Sequence, residues 1–397
     1  MTVEIKNALI SGQKNAIPSK SYAHRIAICN FLAGNGFLSG CKDFTSQDIT
    51  VTEKCLENIK NGQTVLDCGE SGSTLRFMIP LCASLGGEYT FVGHGKLMER
   101  PNQELFNVLI EHGVSVEKTD VIRIKGKLSC GEYKIRGDIS SQYISGLLMA
   151  LPMLEGNSTI TLSTPLVSSP YVDITLEVIR AYGVNVQRTE SGFFINGGAK
   201  YKGNLAVQGD WSNEAFFLVL GAIAGEIAVN GLDINSVQGD KIIIDILKNA
   251  GAKVMVNGDL ITVSKSSLKA FTFNAQDCPD TVPIVAVLAA CANGVSVIDG
   301  VQRLRLKESD RIESVINMLS SFGINAHSDG ESLTVYGGKV KAGVANSYND
   351  HRIAMSSAVL ATVADGVSHI LDAQAVNKSY PTFYKDYCKV GGNAYEI

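Results

Sequence analysis

LAACANGVSVIDG, residues 288–300, passes from an alanine-rich apolar stretch through Asn293 and Gly294 into the alternating run Val-Ser-Val-Ile. Apolar residues at helical spacing, a glycine, then a period of two read as a helix, its stop and a strand. LSSFGINAH, residues 319–327, repeats the pattern, with Gly323 ending an amphipathic helix before a short strand. The first of these glycines recurs at Gly36, Gly87, Gly156, Gly225, Gly294 and Gly366, at intervals of 51, 69, 69, 69 and 72 residues. The second recurs at Gly62, Gly113, Gly183, Gly251, Gly323 and Gly391, at intervals of 51, 70, 68, 72 and 68. The series stay in step along the chain, which is the mark of an internal repeat. Each glycine reads as a helix C-cap, where a left-handed backbone costs least without a Cβ.

Six copies of a helix-strand-helix-strand unit follow, an α/β pattern. Units of this size are too large for a thin solenoid and predict two domains of three copies each. The crossover is expected near Val207 to Asp210, giving one domain of residues 15–208 and another of 1–14 with 209–397. The short first interval suggests that part of the first copy's sheet comes from elsewhere in the sequence.

The bulk properties narrow the function. At 397 residues, 45% hydrophobic and 19% charged, the chain exceeds what one core usually organises. Its net charge of -4 and pI near 5.9 lack the basic excess of a nucleic-acid surface. The apolar stretch from Ala215 to Gly225 is too short to span a bilayer and ends at Glu226. The nine cysteines form no CxxC pair and no zinc-spaced Cys/His cluster, and read as small buried apolar residues. No metal is expected. MTVEIKNALISGQ lacks the basic and apolar regions of a signal peptide, so a reducing cytoplasm is the expected setting. Anionic partners should be small and locally bound.

Basic residues instead gather beside Ser, Gly and Asn: Lys20 and Arg25 in PSKSYAHR, Arg76 in GESGSTLR, Arg100 in MERPN, Lys307 and Arg311 in RLKESDR, Arg352 in YNDHR and Lys378 in NKSYP. A ligand carrying phosphate and carboxylate groups requires such a set, because the arginine fork matches either group. GESGSTLR opens a helix with small residues, so backbone N–H groups could face an anion while Gly72 allows close approach. Ser140, Ser141 and Gln142 stand in the same way before the next apolar run. Capping alone also explains both segments. Lys20 at a helix start opposes the dipole, a penalty that an anionic ligand would remove. The charges around Lys307, Glu308, Asp310 and Arg311 read equally as a surface helix laced with ion pairs. Asp280 before an apolar run fits a first-turn carboxylate, and His351 a capped structural histidine.

Taken together, in this order and on this repeat, these segments resemble the EPSP synthase family from Lys14 to Pro381. The resemblance implies a two-domain inside-out α/β barrel, each domain three copies of a βαβαββ-like unit. It implies transfer of the enolpyruvyl group of phosphoenolpyruvate to the 5-hydroxyl of shikimate 3-phosphate, in the shikimate pathway toward chorismate and aromatic amino acids. No cofactor is implied, and a monomer is the expected state. By the same resemblance Lys20, Ser21, Arg25, Ser140, Ser141, Gln142, Ser168 and Tyr171 hold shikimate 3-phosphate, with Asp280 and Lys307 on its hydroxyl side. Phosphoenolpyruvate lies against Lys20, Gly72, Arg100, Gln142, Arg311, Arg352 and Lys378. Asp280, Glu308, Lys20 and His351 are the candidates for proton transfer, since the reaction protonates C3 of one substrate and deprotonates a hydroxyl of the other. With these residues drawn from both halves of the chain, the site is expected between domains that close on the ligands.

Glu70 and Phe77 depart from one familiar form of the family, which carries asparagine and proline there. An enolpyruvyl transferase acting on a UDP-sugar is the nearest enzyme alternative, but it would carry a cysteine in the loop from Lys96 to Arg100, and none is present. A non-catalytic anion-binding scaffold is the alternative from another class. Retention of Lys20, Asp280 and Glu308 argues against it.

Overall fold

The structure, a computed structural model, describes residues 1–36, 38 and 46–397. The strand expected directly after Gly36 lies outside the described residues. Twelve helices are described: α1 (Lys20–Leu32), α2 (Gln47–Lys60), α3 (Gly72–Leu85), α4 (Gln103–Glu111), α5 (Ser141–Ala150) and α6 (Ser169–Ala181), then α7 (Trp211–Ala224), α8 (Ile243–Asn249), α9 (Val282–Ala290), α10 (Arg311–Ser321), α11 (His351–Ala361) and α12 (Phe383–Lys389). The chain divides into two compact units, one of Met1–Ser19 with Gln208–Ile397 and one of Lys20–Val207. None of the described helices is long and apolar enough to cross a membrane.

The two helices of each copy have different duties. The even-numbered helices are amphipathic, and each ends at a second-series glycine with φ between +74° and +97°. All six are therefore left-handed caps, as the pattern predicts. The first series bears the expectation out only in part: Gly87 and Gly294 have positive φ, at +108° and +110°, and the other four do not keep the left-handed cap. Gly36, Gly156 and Gly366 are not left-handed, and Gly225 is extended at φ 166°. Glycine is needed there for space: a Cβ on Gly225 would collide with the Ile10 carbonyl oxygen, and one on Gly156 with Cys130 Sγ. Gly225 and Gly156 therefore admit a close neighbour, Gly225 while also standing at the end of α7.

In the unit holding the C-terminal half, α9 and α11 bury every residue and α7 all but Ser212. Their Ala-rich surfaces pack on one another as a central layer. In the other unit α3 packs on α5 and α5 on α6. Gly146 of α5 makes that approach possible, since a Cβ there would stand 2.6 Å from the Arg76 carbonyl oxygen of α3.

Five four-stranded sheets are described, and all share one pairing order. The order of the first is Val65–Asp67, Gly87–Val92, Ile122–Gly126, Val114–Lys118, the first pair parallel and the others antiparallel. Glu132–Ile135, Ser158–Leu162, Gly192–Ile195 and Val186–Thr189 repeat it. So do Thr272–Asn274, Val295–Asp299, Ser332–Tyr336 and Ala326–Ser328. The other two borrow strands from the start of the chain. Ile10–Asn15 lies parallel to Gly225–Asn230, and Thr2–Lys6 lies between Ser368–Leu371 and Asn393–Glu396.

The segment after Ile10–Asn15 stays with this unit as far as Ser19, because Ser19 N–H donates to the Gln208 carbonyl at 2.8 Å and Asp210 N–H to that of Ile17 at 2.8 Å. The buried pair Lys14–Glu214 pins it further. Lys14 Nζ lies 2.5 Å from both Glu214 carboxylate oxygens, and Ile17 N–H donates to the same group at 2.9 Å. Of the cysteines, Cys29, Cys55, Cys68, Cys82 and Cys278 are buried as expected. Cys291 is half-buried and Cys130 and Cys388 are exposed, which corrects the reading for these three, while Cys41 lies outside the described residues.

Candidate active site

In the unit of residues 20–207, helix starts carry the candidate ligands. Lys20 begins α1 and pairs with Asp48 of α2 at 2.8 Å. Arg25, one turn on, is buried and held at all three of its nitrogens. Its Nε donates to Thr175 Oγ1 at 2.6 Å, Nη1 to the Ser21 carbonyl at 2.7 Å, and Nη2 to the Tyr171 carbonyl at 2.8 Å and Ser145 Oγ at 3.2 Å. Burial lowers its pKa to about 10. One guanidinium thus ties α1, α5 and α6 together and brings Ser21 and Tyr171 to one place. Ser168, just before α6, is buried with φ +54°, a left-handed conformation that costs a non-glycine residue about 1–3 kcal/mol and gathers at ligand sites.

A second group stands at the start of α3. Ser71 caps that helix by accepting from Thr74 N–H, and Ser140 caps α5 by accepting from Gln142 N–H. Capping therefore accounts for these two serines without ligand. Other contacts go beyond capping. A Cβ on Gly72 would stand 2.5 Å from Arg100 Nη1, so the Arg100 guanidinium lies against the glycine. Arg76 donates to Gln142 Oε1 at 2.7 Å, Asn102 Oδ1 at 3.0 Å and the Pro101 carbonyl at 3.0 Å, and Gln142 Nε2 donates to Ser73 Oγ at 2.8 Å. Gly72, Arg100 and Gln142 are thereby neighbours, with Arg76 as the brace.

In the other unit the charged candidates converge on Asp280. Its Oδ1 accepts from Arg311 Nη1 at 2.7 Å and Lys307 Nζ at 3.2 Å, and its backbone carbonyl accepts from Arg352 Nη1 at 3.0 Å. Arg311 also reaches Glu308 Oε2 at 2.6 Å and Asp350 Oδ2 at 2.8 Å. Residues 302–306 form a 3-10 turn and α10 begins only at Arg311, whose side chain is 1% exposed. The reading as an ion-paired surface helix fails for this segment. Asp350 caps α11, which sets His351 and Arg352 in its first turn, both buried. Lys378 Nζ donates to the Asn349 carbonyl at 2.7 Å. Tyr348 and Asn349, like Ser168, have positive φ.

The electrostatics follow from this packing. Burial pushes the Asp280 carboxyl up, but Lys307, Arg352 and Arg311 pull harder and hold it well below the usual carboxylate range. Burial lowers Lys307, partly against the pull of Asp280. For Arg311 burial opposes the charge, yet Asp350, Glu308 and Asp280 outweigh it. Lys307, Arg311 and Arg352 are matched by Asp280, Glu308 and Asp350. An anionic ligand here joins a network instead of neutralising a bare cationic patch. No group of three His, Cys, Asp or Glu among the described residues is placed to hold a metal ion.

In one unit an acidic base candidate fixed among arginines, and in the other a glycine-backed arginine with a capped Ser-Ser-Gln helix start, each suit small ligands with carboxylate and phosphate groups. The family profile described as EPSP synthase (3-phosphoshikimate 1-carboxyvinyltransferase) matches residues 6–387. The chain belongs to the EPSP synthase family. Relatives named 3-phosphoshikimate 1-carboxyvinyltransferase agree. That of Clostridium novyi is 37% identical over 424 residues, covering 98% of this chain and 97% of the relative. That of Clostridium kluyveri is 38% identical over 420 residues, with the same coverage. The EPSP synthase structure from Acinetobacter baumannii superposes with a TM-score of 0.79 at 25% identity, covering 100% of both chains. As an EPSP synthase family member the chain has an α/β fold shared with solved enzymes.

Asp48, Asn102, Ser145 and Thr175 escaped the sequence reading, as did the bracing roles of Arg76 and Asp350. Arg76 and Asp350 carried a signal, an arginine in the first turn of the α3 loop motif and an aspartate at an N-cap. The others became visible only when distant helices met.

Proposed function

We propose that this chain transfers the enolpyruvyl group of phosphoenolpyruvate to the 5-hydroxyl of shikimate 3-phosphate, releasing phosphate. The convergence of Lys307, Arg311 and Arg352 on Asp280 carries this reading, since it supplies a carboxylate kept ionised at neutral pH beside cations suited to anionic substrates. We assign shikimate 3-phosphate to Lys20, Ser21, Arg25, Ser140, Ser141, Gln142, Ser168 and Tyr171, with Asp280 and Lys307 at its hydroxyls. Phosphoenolpyruvate is assigned to Lys20, Gly72, Arg100, Gln142, Arg311, Arg352 and Lys378.

In the reaction C3 of phosphoenolpyruvate gains a proton and C2 becomes electrophilic. The 5-hydroxyl oxygen attacks C2 and gives up its proton, forming a tetrahedral adduct. Loss of a C3 proton and of phosphate from that adduct restores the double bond. Asp280, held ionised, is suited to take the hydroxyl proton. Glu308 and Lys20 are assigned to the C3 proton, with His351 as a further candidate. The arginines hold both anions in register and stabilise charge that builds on carboxylate and phosphate oxygens.

The finer architecture belongs to the same reading. Five sheets of one order, with glycines in two phased series, support six copies in all, three in each of two inside-out barrel domains. A cytoplasmic monomer without nucleic-acid partners fits the acidic pI of about 5.9. Phosphate release from the purified protein with both substrates tests the reading. Turnover that needs both compounds is expected, and absence of phosphate release with both present would refute it.

A further inference from the structure

We propose that Ser347 is a positioning residue for Lys378, its hydroxyl clamping together the two loops that aim the Lys378 ammonium. The inference rests on the assignment of Lys378 to phosphoenolpyruvate made above.

The two loops start side by side. Strands Val344–Asn346 and Ser368–Leu371 run parallel, and their last partners are Asn346 and Leu371. Ser347 extends the ladder by one bond, its N–H donating to the Leu371 carbonyl at 3.1 Å. Beyond that point both chains turn into the left-handed region, Tyr348 and Asn349 at φ +53° and +55° on one side and Asp372 at φ +53° on the other. Among the described residues four non-glycine residues have positive φ, and three of them lie here. Such backbone persists only where its surroundings over-determine it, and it gathers at ligand sites.

Ser347 supplies that constraint. It is fully buried, and its hydroxyl bonds to both loops at once. Oγ donates to the Asp372 carbonyl at 2.9 Å and accepts from Asn349 N–H at 3.2 Å, which one hydrogen and two lone pairs allow. The Ser347 carbonyl accepts from Asp350 N–H at 2.9 Å. Both peptides flanking Asn349 are thus tied to Ser347, the first through Oγ and the second through the carbonyl. The second of these peptides carries the Asn349 carbonyl, which accepts from Lys378 Nζ at 2.7 Å.

Asp372 closes the circuit. Its carbonyl also accepts from Ala375 N–H at 3.1 Å, inside the 3-10 turn Ala373–Lys378. No side chain caps that turn, so the Ser347 hydroxyl on the Asp372 carbonyl fixes where it begins. One hydroxyl therefore holds the start of the turn that ends at Lys378 and the loop whose carbonyl meets the Lys378 ammonium. An ammonium is a point charge without the fork of an arginine, so its worth to a bound anion depends on where it is set.

Steady-state kinetics of Ser347→Ala, Ser347→Thr, Lys378→Ala and the double variant Ser347→Ala with Lys378→Ala test the proposal. Ser347→Ala is expected to raise KM for phosphoenolpyruvate about fivefold, with kcat and KM for shikimate 3-phosphate within about twofold of the parent. Ser347→Thr keeps the hydroxyl and should restore KM for phosphoenolpyruvate to within about twofold of the parent. The double variant should match Lys378→Ala alone, because Ser347 acts through that lysine. An unchanged KM for phosphoenolpyruvate in Ser347→Ala, KM values rising together for both substrates, a threonine variant as impaired as the alanine one, or losses that multiply in the double variant would overturn it. If Ser347→Ala does not fold, Ser347→Cys, which keeps a side chain of similar shape but weakens both bonds, decides by the same KM. Should Lys378→Ala leave KM for phosphoenolpyruvate unchanged, the assignment of Lys378 falls, and the role of Ser347 with it. A rise in Lys378→Ala without one in Ser347→Ala removes the role of Ser347 alone.

Discussion

Arg311 Nη1 lies 2.7 Å from Asp280 Oδ1, across 31 residues of sequence. The same guanidinium holds Glu308 and Asp350, so one buried cation joins the turn before α9, the turn before α10 and the cap of α11. A side chain at 1% exposure with three carboxylate partners is structural, and the proposed function adds a substrate to its contacts.

Arg311→Met should test this double duty. It leaves a fully buried Asp350 without its arginine, and stability in urea is expected to fall by about 3–5 kcal/mol, the usual cost of removing one partner of a buried pair. An unchanged urea midpoint would show that the network reorganises freely.

Lys14 and Glu214 form a second buried pair, with side chains 6% and 0% exposed. Lys14 Nζ also lies 4.6 Å from the centre of the Phe217 ring and 5.5 Å from that of Tyr380. Burial raises the Glu214 pKa against the pull of Lys14. Lys14→Met alone strands the carboxylate and should destabilise by about 3–5 kcal/mol, whereas Lys14→Met with Glu214→Leu should recover most of that loss. Thermal or urea unfolding of the three proteins reads the difference.

His24 gives a pH dependence of known sign. Burial, then Lys20 and Arg25, lower its pKa well below the ordinary value. The unfolded chain takes up this proton near pH 6.5, as free imidazoles do at about that value. The contribution of neutral His24 to stability is therefore complete above about pH 6.5 and is lost as pH falls toward the depressed folded value. Urea midpoints of the parent should drop between about pH 7 and 5.5 by more than those of His24→Gln. Equal drops would remove His24 as a source of the slope.

Gly72→Ala addresses the anion loop. The added Cβ would sit 2.5 Å from Arg100 Nη1, so the guanidinium must shift. KM for phosphoenolpyruvate is expected to rise about tenfold, with that for shikimate 3-phosphate changed much less. Initial rates at varied concentrations of each substrate separate the two.

Much of this fold was legible because its punctuation is local. A left-handed glycine after an amphipathic helix is written at six places, and Gly62 to Gly391 all adopt it. The first-series glycines looked alike in sequence, but at Gly225 and Gly156 the reason is a close neighbour, Ile10 and Cys130, which no local pattern reveals. The arginines of the candidate site were visible by type and company. Their partners were less so, since Arg25 meets Thr175 and Arg311 meets Asp350 only after helices pack.

Initial rates of Asp280→Asn test the central claim most directly. If Asp280 takes the hydroxyl proton, kcat should fall by roughly a hundredfold or more, while KM for each substrate moves only a few-fold. A kcat close to that of the parent, or an equal loss in binding and rate, would contradict the account.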